Sequence, residues 1–269
     1  MMKTTLQKIY MGLIFLFLYA PIATLMVLSF NASKTRAKWG GFTLKWYQAL
    51  FRNSDILNAL RNTLLIALVA SIAATIIGTA ACISIMSLKK KSRTIIIGIT
   101  NIPMLNAEIV TGISLMLLFL SLGLRFGLGT ILLSHITFCI PYVILSVMPR
   151  MQHLSPYTYE AALDLGANPF KAMVKVILPI LAPSIMSGFM MAFTLSMDDF
   201  IITQINKGAA TGINTLSTYI YADARVQGLS PFWFAIFSII FIVVLTTILV
   251  VNVVKVKKAK ADKKKEVKA

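Results

Sequence analysis

The chain has 269 residues, 58% of them hydrophobic and 13% charged, with a mean hydropathy of +0.82. Soluble domains carry about 25% charged residues, so this balance excludes a water-soluble globular protein and points to helices packed in lipid. The formal net charge of +17 does not imply a nucleic-acid partner, because the basic clusters directly follow long apolar runs, where anionic lipid head groups attract them.

Ile9–Phe30 is the first apolar segment. Lys3 and Lys8 precede it, as in a secretory signal, but a signal core runs only about 7–15 residues. An uncleaved first span is expected. The stretch 31–62 that follows carries Trp39, Phe42, Trp46, Tyr47 and Phe51. Rings with one wet edge favour the head-group level, and Thr43 is placed to cap a short helix through Phe51. Whether that helix lies on the membrane or meets an external partner is open from the residues alone.

The next segments are Thr63–Met86, Ile95–Leu122 and Thr130–Met148, with Lys89, Lys90, Lys91 and Arg93 between the first two. Cys82 and Cys139 fall inside these runs and read as small buried hydrophobes. His135 and His153 have no Cys or carboxylate at ligand spacing, so no metal site is expected. Glu108 falls near the middle of the third segment, beyond a kink expected at Pro103.

A polar loop, Arg150–Lys175, contains Tyr159-Glu160-Ala161-Ala162-Leu163-Asp164-Leu165-Gly166-Ala167-Asn168-Pro169-Phe170. Ala161, Ala162 and Leu163 favour helix, and Gly166 suits the left-handed position after its end. Asn168 then caps a second helix with Pro169 at its first position. Phe170, Val174 and Ile177 continue it as one apolar stripe at i, i+4 and i+7. The loop is a projecting helix–turn–helix knob or an amphipathic linker lying on the membrane.

The fifth segment, Ile177–Ile202, ends with Asp198 and Asp199, and the sixth is Phe232–Val254. An Asp at a helix centre in lipid costs about 2.5–3.5 kcal/mol, and no Lys or Arg lies well inside any segment to compensate. Either the pair stays hydrated near the outer surface, or Asp198, Asp199 and Glu108 line a water-filled path suited to a cationic substrate. Neighbours on a helix project about 100° apart, so one aspartate of the pair is expected to face the path.

Each segment is long enough to cross about 30 Å of hydrocarbon as a helix, and helix is required because lipid offers unpaired backbone no partner. The expected class is an all-α integral membrane protein with six transmembrane helices. Six spans place both termini on one side. With the termini inside, 17 of the 26 basic residues fall in inner segments, including the eight lysines from Lys255 to Lys268. That excess marks the cytoplasmic face. The expected division is a first helix with its aromatic loop (1–57), a transmembrane core (58–254) with the loop 150–176, and a basic cytoplasmic tail (255–269).

Glu160, Ala161 and Ala162, with Gly166 six positions after the Glu and Ile177-Leu178-Pro179 beyond, resemble the EAA loop of type I ABC importer permeases. Gly41–Tyr47, Ser134–Pro141 and Phe193–Asp199 resemble the spermidine/putrescine branch, over about Pro21 to Val254. The resemblance implies the MetI-like permease fold in a bacterial plasma (inner) membrane. It implies that the loop with Glu160, Ala161, Ala162 and Gly166 couples to an ATPase dimer. The other implied partners are a homologous second permease and an external polyamine-binding protein. ATP with Mg would belong to the ATPase chain, since no Gly-Lys dipeptide exists here to begin a phosphate loop's Gly-Lys-Ser/Thr. No catalytic residue or cofactor is expected in this chain. The competing expectations are a permease for another solute and an ion-coupled secondary transporter; the latter brings inverted repeats and broken helices, and no internal repeat is visible.

Overall fold

A computed structural model describes residues 2–33, 38–155, 157–208, 212–228 and 231–246. The helices in chain order are α1 (Met2–Leu28), α2 (Lys45–Arg52), α3 (Ser54–Met86), α4 (Lys90–Leu105), α5 (Glu108–Ser121), α6 (Leu128–Gln152), α7 (Tyr157–Asp164) and α8 (Pro169–Ala172). A π-helical turn, Met173–Ile177, leads into α9 (Leu178–Asp198), followed by α10 (Ile201–Asn206), α11 (Leu216–Gln227) and α12 (Pro231–Thr246). Among the described residues, four helical stretches are long and apolar enough to cross a membrane, and five if the bent pair α4 and α5 counts as one. Where the sixth span is expected, α12 is an apolar helix shorter than a full span, and residues 247–254 lie outside the described residues, as does the basic tail.

The chain forms two compact units, Asp55–Tyr219 and the described residues of Met1–Ser54 with Ile220–Ala269. In the second of these, Asn31 ties the loop after α1. Its Oδ1 accepts from Gly40 N at 2.8 Å, its carbonyl accepts from Trp46 Nε1 at 2.8 Å, and Phe30 stacks on Phe42 and Tyr47. The aromatic residues of this loop thus serve partly to close it on itself. The expected capping by Thr43 takes a different form. The helix starts at Lys45 with Leu44 in the capping position, and Thr43 Oγ1 accepts from Lys45 N, two residues on, at 3.2 Å. On α1, none of the side chains from Ile9 to Tyr19 is buried within the chain, as befits a helix that faces lipid or another subunit.

The unit Asp55–Tyr219 is built on α3, α6 and α9. Its core comprises Ala74, Cys82 and Ile85 of α3, Cys139, Val143, Ile144, Val147 and Met148 of α6, and Ile177, Leu181 and Ala192. Small residues let the backbones approach, as membrane helices require in the absence of a hydrophobic drive between them. Val143 sits between two glycines: a Cβ on Gly78 would lie 2.9 Å from Val143 Cβ, and one on Gly188 would lie 3.3 Å from Val143 Cγ1.

Two expected continuous helices are broken. The third apolar segment bends by 105° between α4 and α5. The break is not at Pro103, which α4 accommodates, but at Asn106 and Ala107, both in extended conformations. The fifth ends at Asp198, because Asp199 is also extended (φ −58°, ψ 134°), and α10 starts anew after it. Both breaks put a carboxylate beside a helix N-terminus, where the helix dipole favours negative charge. A mid-helix carboxylate in lipid would lack that compensation.

Candidate functional site

The loop between α6 and α9 follows from local sequence. Gly166 (φ +84°) ends α7: Ala167 N donates to Ala162 O and Gly166 N to Leu163 O, a Schellman closure that needs a left-handed residue. Asn168 then caps α8, its Oδ1 accepting from Lys171 N at 2.8 Å, with Pro169 in the first turn. Tyr159 packs against the core and Ala162 is buried, so α7 is anchored on one face. Glu160 and Ala161 point outward, and Leu165 and Phe170 are 89% and 76% exposed. The expected apolar stripe is interrupted: Ile177 is buried while Phe170 and Val174 are exposed, because the π turn alters the helical phase between them.

The three membrane carboxylates are not brought together as one set of equivalent walls. Glu108 is exposed as the first residue of α5, rather than lying mid-helix. Asp198 is exposed as the last residue of α9. Asp199 is buried and enters a polar network. Its Oδ1 accepts from Ile202 N at 3.2 Å, and its Oδ2 accepts from Thr203 N at 2.8 Å and Thr203 Oγ1 at 2.7 Å. From the position before the N-cap residue Phe200, it therefore satisfies two first-turn amides of α10. His135 of α6, fully buried, places Nε2 3.4 Å from Asp199 Oδ2 and 2.9 Å from Thr203 Oγ1, with Nδ1 2.7 Å from Ser196 Oγ.

Sequence spacing misses His135, because a ligand-spacing search looks along the chain and its partners are 61 and 68 residues away. A signal was available: a histidine inside an apolar span is as anomalous as a carboxylate in one, and the two are brought together here. Around this joint, Thr130 Oγ1 donates to Asn206 O at 2.9 Å and Asn206 Nδ2 to Gly112 O at 3.2 Å. The second contact ties α10 to α5, where a Cβ on Gly112 would come within 3.0 Å of Ile205 Cδ1. Among the described residues, no group of three His, Cys, Asp or Glu side chains is placed to hold a metal ion.

Long apolar helices, a buried polar joint at the α9–α10 break and an exposed helical loop at the opposite end of α9 are the features that the family has to accommodate. Residues 74–257 match the binding-protein-dependent transport system inner membrane component family, and the chain belongs to it. It is 37% identical to the spermidine/putrescine transport system permease protein PotC of Escherichia coli (strain K12) over 222 residues, covering 82% of this chain and 83% of that protein. It is 36% identical to the putrescine transport system permease protein PotI of the same strain over 224 residues, covering 81% and 79%. A solved bacterial ABC transporter involved in the import of the acidic polysaccharide alginate superposes with a TM-score of 0.73 over 94% of this chain and 95% of that one. At 15% sequence identity that likeness concerns the fold.

Proposed function

We propose that this chain is the permease of a polyamine importer, working by alternating access with a homologous second permease, an ATPase dimer and an external polyamine-binding protein. The observation that carries the substrate class is Asp198, an exposed carboxylate at the end of α9 in a chain similar to two polyamine permeases. A flexible chain bearing several ammonium groups takes carboxylates as its counterparts, and Asp198 and Glu108 are the groups assigned to the substrate path. Asp199 supports that path from behind. The uneven distribution of Lys and Arg favours cytoplasmic termini and a cytoplasmic loop 150–176. There Glu160, Ala161, Ala162 and Gly166 would form the contact with the ATPase, which holds ATP and Mg; closure of the ATPase dimer would move α9 through that loop. Broken helices like α4 and α5 also occur in secondary transporters, but family membership favours the ATP-driven reading. The test is uptake of radiolabelled spermidine and putrescine by cells carrying the complete transporter, with and without this chain. Saturable uptake that depends on the chain is expected; equal uptake in both would overturn the substrate assignment.

A further inference from the structure

We propose that His135 is a positioning residue for the transport step: it straps the α9–α10 break so that, of the two adjacent aspartates, Asp199 turns inward and Asp198 is presented to the substrate. This rests on the polyamine reading for its transport consequence, though not for the clamp itself.

Proton accounting sets the arrangement. The single hydroxyl proton of Thr203 goes to Asp199 Oδ2 at 2.7 Å. The contact between His135 Nε2 and Thr203 Oγ1, at 2.9 Å, therefore needs the imidazole as donor. The ring carries a proton on Nε2, and in its neutral form Nδ1 accepts from Ser196 Oγ at 2.7 Å. Ser196 lies in the last turn of α9, Thr203 lies in α10 and His135 lies in α6. One imidazole is thus bonded to both sides of the break, from a third helix. His135, Thr203 and Ser196 are 0%, 0% and 3% exposed, so water does not compete for these bonds.

The consequence is a division of labour between adjacent aspartates. Both Asp199 oxygens are engaged by α10, with His135 beside Oδ2, and its side chain is only 3% exposed, which leaves it closed to a cation arriving from outside. Asp198, on the free end of α9, is held by a support whose own side chains are locked, which is what precise placement of a binding group requires. The loop with Glu160 lies at the other end of α9, about 30 Å away at 1.5 Å rise per residue. Loss of the strap should therefore affect substrate capture more than coupling to the ATPase.

The experiment uses the complete transporter in membranes, with His135→Ala, His135→Gln and His135→Asn. The Gln amide reaches the Nε2 position and can still donate to Thr203, whereas the Asn amide reaches only the Nδ1 position. Hydrogen exchange over residues 200–206, measured without substrate, reads the clamp: Ile202 and Thr203 amides should exchange about tenfold faster in the Ala and Asn variants, the upper end of the range for one hydrogen bond between neutral groups. The apparent KM for spermidine should rise about tenfold in the same two variants, with maximal rates within about threefold of the parent, while Gln stays close to the parent in both measurements. Unchanged exchange in His135→Ala overturns the clamp. Faster exchange with an unchanged KM, or a Gln variant as impaired as Ala, overturns the positioning role. Should the Ala variant fail to insert, Thr203→Val removes the relay hydroxyl at nearly constant volume and is judged by the same outcomes. If the parent itself takes up no polyamine, the polyamine reading and with it the transport role of His135 are overturned, and exchange still judges the clamp.

Discussion

Asp198→Asn and Asp199→Asn should behave as opposites although the residues are adjacent. At position 199 the carboxylate accepts from two backbone amides and a hydroxyl, with His135 alongside. Asn retains one carbonyl oxygen, which must serve Thr203 N and Thr203 Oγ1. Its NH2 group then faces Ile202 N–H, donor against donor. At least one charge-assisted bond is lost in a buried setting, worth about 1.5–3 kcal/mol. For a chain of this size about 1 kcal/mol moves the melting temperature by about 2–4 °C. Asp199→Asn should therefore lower it by several degrees. At position 198 the side chain is exposed, and the same change should cost no more than about 0.5 kcal/mol. Uptake in Asp198→Asn should nevertheless fall about tenfold, the equivalent of about 1.4 kcal/mol of lost charge–charge attraction to the substrate. The assay is thermal unfolding of the purified transporter in detergent, paired with spermidine uptake at matched membrane levels. Equal melting temperatures for the two variants would refute the assignment of Asp199 as the acceptor that holds the first turn of α10. Wild-type uptake in Asp198→Asn would remove the electrostatic argument for a cationic substrate.

Glu160→Lys should abolish transport while leaving membrane insertion intact, because Glu160 is exposed on an α7 whose opposite face is anchored; co-purification with the ATPase and normal uptake would contradict it. Gly166→Pro should do the same more severely, since φ is +84° there and proline is locked near −65°. Gly78→Ala places a Cβ 2.9 Å from Val143 Cβ, and overpacking of this kind costs about 1–3 kcal/mol. Val143→Ala in the same chain should restore part of that loss, so additive destabilisation in thermal melts would show that the two helices do not meet there.

What is local to the loop between α6 and α9 is legible in its residues. A left-handed glycine, an Asn N-cap and a proline in the first turn each act within six residues, so the turn at Gly166–Pro169 can be read without knowing its surroundings. The π turn that follows is not legible in the same way. The i, i+4, i+7 spacing from Phe170 to Ile177 assumes a regular helix, and nothing in that pattern announces the change of phase.

The apolar segments and the cost of charge in lipid are properties of composition, and they alone determine a multispan helical protein with three carboxylates that demand an explanation. Which carboxylate does what is decided elsewhere. Hydropathy sees one segment through Ile202, but the chain gains more by breaking it. Asp199 satisfies the amides of a new helix and reaches a buried imidazole that lies more than sixty residues earlier in the chain. Only when α6 packs against α9, with Val143 set between Gly78 and Gly188, does His135 arrive beside Ser196, Thr203 and Asp199. A buried charge is tolerated only where partners converge on it, and that convergence is a property of packed helices rather than of any one segment.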